Sequence, residues 1–146
     1  MFLFCETGAA WYYTFMDFPL EVYLCLLQRG DHQIGFQELA APMLALATWP
    51  SLFQRCMWSA FLDNQGALHA TINASSKSAE QNIAVGKVWL ALAAADVRFH
   101  ALRVESKSNV ADGPTRDDYA WVVRLKAKYV PPVLPGWLYQ VWDLST

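Results

Sequence analysis

The hydrophobic and polar positions of this chain predict short strands followed by helices that alternate with further strands. The aromatic run Ala10–Phe15 is extended in character, and Glu21–Leu27 indicates a second strand after the turn at 17–19. From Ile34 to Trp49 apolar residues recur at three- and four-residue steps, which predicts a helix. Pro42 cannot donate to a helical carbonyl, so we expect this helix either to kink there or to start late.

The middle of the chain continues the alternation. Met57–Leu62 is a short apolar run, which is typical of a central strand buried on both faces. We expect a short helix over Asn64–Thr71. A longer helix then ends near Ala95, and Ser78 and Gln81 have capping-box spacing at its start.

The last third predicts one more strand and one more helix. Arg98–Val104 is the strand, and Asp117 to about Lys128 has acids in its first turn and bases in its last, as the helix dipole favours. This order predicts an α/β fold with a mixed central β-sheet flanked by α-helices. We therefore assign 1–130 to one domain and 131–146 to a proline-containing C-terminal tail.

Composition narrows the class of protein. A chain of 146 residues that is 55% apolar buries a sizeable core as one domain. Its net charge of −2 argues against a protein that binds nucleic acid mainly by charge, although basic residues crowd the last third. Three cysteines without metal-type spacing, no basic leader and no long apolar run indicate an intracellular protein of the cytoplasm or nucleus, with no membrane partner.

Three acidic residues stand at the ends of predicted elements. Glu38 opens the long helix in FQELAA, Asp63 directly follows the Met57–Leu62 strand, and Asp112 precedes the last helix in NVADGPTR. Hard divalent cations prefer oxygen ligands, and two of them roughly 4 Å apart promote phosphodiester hydrolysis. Taken singly, each acid also has an ordinary interpretation: a solvated helix residue, a helix cap and a turn residue, respectively.

The order and wording of these motifs resemble the ribonuclease H domain attached to reverse transcriptases of retroelements, over about residues 8 to 128. The resemblance implies a ribonuclease H-like fold in which Glu38, Asp63 and Asp112 are catalytic metal ligands. It implies two Mg²⁺ (or Mn²⁺) ions, hydrolysis of the RNA strand of an RNA–DNA hybrid, and recognition of RNA through its 2′-hydroxyls. It also implies a polymerase domain upstream as a partner.

Two departures from that family open other interpretations. The family uses a further Asp on its first strand, and here Glu6 is the acid in a comparable position. Either the true first strand is lost by truncation, or Glu6 substitutes as a tentative catalytic residue. The loop from Glu105 to Asn109 also has no His. The alternative is thus a catalytically inactive nucleic-acid-binding or scaffold module, and an exonuclease or integrase-like relative is a third; whether the chain is an enzyme stays open.

Five further residues are candidate substrate contacts. Asn64 completes the Asp-Asn pair of the family motif, and Asn109 and Arg116 belong to its last motif, as a brace for the loop and a phosphate contact. Lys77 and Ser78 stand at a helix N-terminus, where backbone N–H groups favour phosphate. Asn109 and Arg116 have the alternative of fixing local structure only, and Lys77 and Ser78 that of a serine-rich loop that binds nothing.

Overall fold

The computed structural model describes residues 2–7, 10–27 and 33–142, with side chains described for 10–25 and 35–139. The elements in chain order are β1 (Phe2–Thr7), β2 (Ala10–Phe15), α1 (Leu20–Leu27), α2 (Gln33–Thr48), β3 (Met57–Leu62), α3 (Gln65–Asn73), α4 (Ala79–Ala94), β4 (Arg98–Arg103), α5 (Ala120–Arg124) and β5 (Lys128–Tyr129). The α/β class is confirmed. No helix in these ranges combines the length and apolarity needed to cross a membrane.

The described strands form two sheets instead of the single central sheet expected. One has the order β1-β2-β5, with β1 antiparallel and β5 parallel to β2. The other pairs β3 with β4 in parallel, Met57 opposite Arg98 and Leu62 opposite Arg103. Among the described residues, no strand of one sheet pairs with a strand of the other.

The core lies between the two long helices and the segments that pack on them. α4 begins where Ser78 accepts a hydrogen bond from the backbone N–H of Gln81, as the spacing predicted. Its inner side carries the buried Val85, Val88 and Leu92. The residues buried together in the largest cluster are Val22, Phe36, Ala40, Met43, Ala84, Val88, Leu92 and Leu138.

The segment predicted as a second strand, Glu21–Leu27, is the helix α1. The carbonyl of Pro19 accepts the backbone N–H of Tyr23 at 3.0 Å and so starts the first turn. Among the described side chains of α1, only Val22 is fully buried, while Tyr23 and Leu24 are exposed. This pattern suits a surface helix, and its tertiary packing overrides the strand-like composition.

The sequence predicted that the strand β3 is buried on both faces, and this prediction is wrong. Ala60 and Leu62 are buried, but Met57 is 69% and Phe61 62% exposed. Trp58 packs between Phe53 and Phe99, with ring centroids 4.4 and 5.0 Å away. The helices thus cover one face of the β3–β4 pair and leave alternate side chains of the strand on the other.

The helix predicted from Asp117 to Lys128 is much shorter, because left-handed backbone interrupts it at both ends. Asp117 has φ 61° and closes a 3-10 turn, and Lys126 has φ 49° after α5 has ended. The residues beyond, Lys128 and Tyr129, pair with β2 instead.

The described part of the tail packs onto the rest of the chain. Val133 donates its backbone N–H to the hydroxyl of Thr48 at 3.0 Å. Leu138 is 1% exposed and lies in the same cluster as Val22 and Phe36. The segment after residue 130 therefore contributes to the core.

Candidate functional site

Three different kinds of element carry the three predicted acids. Glu38 lies in the second turn of α2, Asp63 is the first residue after β3, and Asp112 lies in the loop after β4. Pro42 stands inside α2 and has no N–H, so the main-chain carbonyl of Glu38 lacks its usual helical donor. The beginning of α2 and the carboxyl end of β3 bring Glu38 and Asp63 together.

The electrostatics of Glu38 report how close the three carboxyl groups are. Its pKa is raised from 4.5 to about 7, first by burial of the half-buried side chain, then by the charges of Asp63 and Asp112. A hydrogen bond from the protonated Glu38 to Asp63 raises the pKa further. Near neutral pH Glu38 therefore takes up a proton, which it donates in the hydrogen bond to Asp63. We call Glu38, Asp63 and Asp112 the carboxylate cluster.

The capping interpretation of Asp63 does not hold, because its neighbour caps the helix. The side-chain oxygen of Asn64 accepts the backbone N–H of Ala67 at 2.9 Å and is the N-cap of α3. The Asp63 side chain instead faces Glu38. Asn64, predicted as a substrate contact, thus has a structural role.

The loop around Asp112 is held by local contacts. Asn109 accepts the backbone N–H of Ala111 with its side chain at 3.1 Å, which agrees with a bracing role. Gly113 is required here, since a Cβ at this position would stand 2.9 Å from the carbonyl of Asp118. Arg116 pairs with Asp112, four residues before it, at 3.2 Å (Nη2 to Oδ2), a contact that was not predicted from the sequence.

The carboxylate oxygens of the cluster are the donors that a hard cation prefers, but the three side chains are too far apart to chelate one. Within the described ranges no three His, Cys, Asp or Glu side chains stand close enough to hold a metal ion. Charges act on a pKa over several ångströms, while Mg²⁺ needs oxygens at about 2.0–2.1 Å. Glu38 is engaged with Asp63, and Asp112 with Arg116. Both contacts must open before the three carboxylates converge.

Glu6 lies on β1, opposite Trp11 in the ladder with β2. Its side chain falls outside the described side chains. Its assignment as a tentative fourth acid therefore stays a prediction.

The predicted phosphate corner at the start of α4 is occupied by its own hydrogen bonds. Ser76 donates its N–H to the Asn82 side chain at 2.6 Å, and Asn82 returns a bond to the Ser76 carbonyl at 2.7 Å. The Ser78 hydroxyl donates to the Glu80 carboxylate at 2.9 Å. The Ser76–Asn82 bracket was not predicted from the sequence. We call residues 76–82 the serine corner; a phosphate role for Lys77 and Ser78 stays a prediction.

Comparisons of the chain with protein-family models, with curated proteins and with solved structures gave no match. The function of this chain is therefore inferred from its residues and their geometry.

Proposed function

We propose that this chain is a retroelement-derived ribonuclease H-like domain that hydrolyses the RNA strand of RNA–DNA hybrids with Mg²⁺ or Mn²⁺. The observation that carries the proposal is the coupling of Glu38 to both Asp63 and Asp112. A helix, a strand end and a loop supply these acids, in the chain order of the family motifs. The mixed α/β architecture supports the ribonuclease H-like fold but does not by itself define the chemistry.

Burial and repulsion between the carboxylates favour binding of a positive charge at this site. Crowding and burial hold a proton on Glu38, and a divalent cation would replace that proton. Bound cations supply an activated water and a stabilised leaving oxygen. Glu38, Asp63 and Asp112 would hold the ions, with Glu6 as the tentative fourth ligand.

Arg116 would change partner during binding. It now pairs with Asp112, and its side chain is 75% exposed. If Asp112 held a cation, the guanidinium of Arg116 would be free to form a bidentate contact with a phosphate. The 2′-hydroxyls of the RNA strand would supply the discrimination against DNA.

The second candidate is a catalytically inactive nucleic-acid-binding or scaffold module with the same fold. Two observations favour it: the ion pair that engages Asp112, and the absence of a chelating trio within the described ranges. In this case the cluster persists as a half-buried acid pair without metal.

Cleavage of a labelled RNA–DNA hybrid with Mg²⁺ or Mn²⁺ separates the two candidates. The test variant is Asp63→Asn, and the matched control is Asp96→Asn, an exposed Asp with φ 53° that Asn tolerates. Loss of an outer-sphere partner already lowers metal-site activity about 10–100-fold, so Asp63→Asn should lose at least about 100-fold. Metal-dependent cutting that survives Asp63→Asn would contradict the proposal, and folded wild-type protein that cuts with neither metal would favour the second candidate.

A further inference from the structure

Asp112 and Arg116 lie on one short loop whose backbone is held by its own hydrogen bonds. Asp112 donates its N–H to the carbonyl of Asn109 at 3.0 Å, and Arg116 donates its N–H to the carbonyl of Gly113 at 2.8 Å. The Thr115 hydroxyl donates to the main-chain carbonyl of Asp112 at 2.6 Å. These local bonds keep the guanidinium and the carboxylate of the ion pair within reach of one another.

The shape of this loop does not depend on the guanidinium of Arg116. The side chain of Asn109 accepts the backbone N–H of Ala111, and the carbonyl of Gly113 accepts the N–H groups of both Arg116 and Asp118. The guanidinium adds one contact, from Nη2 to Oδ2 of Asp112, and the Arg116 side chain is 75% exposed. The ion pair therefore neutralises Asp112 more than it supports the backbone around it.

An exposed ion pair of this kind is weak. Such pairs change an equilibrium constant by at most about 5-fold. The guanidinium is thus a counter-ion that another cation can exchange. The contact with Oδ2 stands on one of the three acids that the proposed metal site would use.

A divalent cation and Arg116 would compete for Asp112 whichever oxygen the cation took. A cation on Oδ2 replaces the guanidinium directly. A cation on the other oxygen of the same carboxylate would stand a few ångströms from the guanidinium, and like charges at that distance repel. In both cases the positive charge of Arg116 opposes binding of the cation.

We propose that Arg116 is a built-in competitor of the divalent cation, which lowers the affinity of the carboxylate cluster for Mg²⁺ and Mn²⁺. This inference rests on the proposed function, because it concerns the regulation of the same site. It has a consequence that a supporting role would not have. Loss of a residue that orients a metal ligand weakens metal binding about 10–100-fold, whereas loss of a competitor tightens it.

The test measures Mn²⁺ binding to the full chain through the electron paramagnetic resonance signal of free Mn²⁺, without any nucleic acid. Arg116→Gln should tighten binding about 2–5-fold, as expected from the strength of an exposed ion pair. Arg116→Lys keeps the positive charge and should bind Mn²⁺ with nearly the affinity of wild type.

The matched control is Arg124→Gln, which changes the net charge by the same amount. The guanidinium carbon of Arg124 lies 5.0 Å from the ring centroid of Trp121. This arginine therefore has a different partner from Arg116, and its loss should leave the affinity for Mn²⁺ unchanged. Equal tightening in Arg124→Gln and Arg116→Gln would overturn the proposal, since the effect would then come from net charge alone.

The remaining outcomes separate this inference from the proposed function. Equal binding of Mn²⁺ by wild type and Arg116→Gln would overturn the competitor and leave the metal site standing. Weaker binding by Arg116→Gln would also overturn it, because Arg116 would then orient Asp112 for the metal. Tighter binding by Arg116→Gln in a chain that cuts no hybrid would support the competitor and contradict only the ribonuclease activity. Absence of Mn²⁺ binding in wild type and in every variant would overturn both.

Discussion

The carboxylate cluster and the serine corner are both polar regions near helix beginnings. The polar groups of the serine corner are paired by hydrogen bonds, whereas the acids of the carboxylate cluster repel one another. In the serine corner, donors and acceptors satisfy one another: Ser76 with Asn82, and Ser78 with Gln81 and Glu80. In the carboxylate cluster, burial of Glu38 and then the charges of Asp63 and Asp112 raise the pKa of Glu38 to about 7. A satisfied network stabilises the fold, whereas a conflict kept within a fold is typical of a functional site.

The largest stability difference between the regions should come from Glu38→Gln. Glu38 binds its proton more tightly in the folded state than in the unfolded state, so the free energy of unfolding falls as pH rises from 4.5 towards 7. A fully buried group with such a shift loses about 3 kcal/mol, and screening at the half-exposed Glu38 reduces this to about 1–2 kcal/mol. Glu38→Gln should remove this loss and be more stable than wild type by that amount at about pH 8.

Urea denaturation of wild type and Glu38→Gln at about pH 5 and about pH 8 measures the effect. Glu105→Gln is the matched control, since Glu105 is exposed and its charge is not among the causes of the Glu38 shift. If the free energy of unfolding changes with pH in the same way in wild type and Glu38→Gln, the pKa of Glu38 is not raised by folding.

In the serine corner a substitution should act in the other direction. Ser78→Ala removes the N-cap of α4 and should lower the free energy of unfolding by about 1 kcal/mol. Ser78→Thr keeps the capping hydroxyl and should recover most of the loss. If Ser78→Ala were more stable than wild type, the serine corner would also hold unfavourable contacts, and it would not differ from the carboxylate cluster in this respect.

The smallest effect should come from Arg116→Ala. Its ion pair with Asp112 is a surface contact, with Arg116 75% exposed, and such pairs contribute about 0–1 kcal/mol. We expect a change in the free energy of unfolding below about 0.5 kcal/mol, with Arg124→Ala as a control on α5. A larger loss would mean that the pair builds the loop, and a metal-driven exchange of partners would be less favourable.

Local signals predicted much of the fold. The strands β2, β3 and β4 and the helices α2, α3 and α4 follow from periodicity and, for α4, from the cap Ser78. The helix α1 and the early end of α5 were missed. In the first case the burial of Val22 decided the structure, and in the second a left-handed backbone at Lys126 did; neither is visible in local composition.

The candidate site was only partly accessible from sequence. The spacing of the motifs indicated Glu38, Asp63 and Asp112, but not that Asn64 takes the capping role or that Arg116 pairs with Asp112. Exposure of Phe61 also could not be predicted, because an apolar strand looks the same whether one or two of its faces are covered.

The most direct test of the account is the titration of the Glu38 carboxyl by carbon NMR, with and without Mg²⁺, its signal assigned by its loss in Glu38→Gln. The account predicts a midpoint about 7 without metal and a clear fall when Mg²⁺ is added, since the cation replaces the proton. A midpoint near the ordinary 4.5, or one near 7 that Mg²⁺ leaves unchanged, would contradict a metal site at the carboxylate cluster.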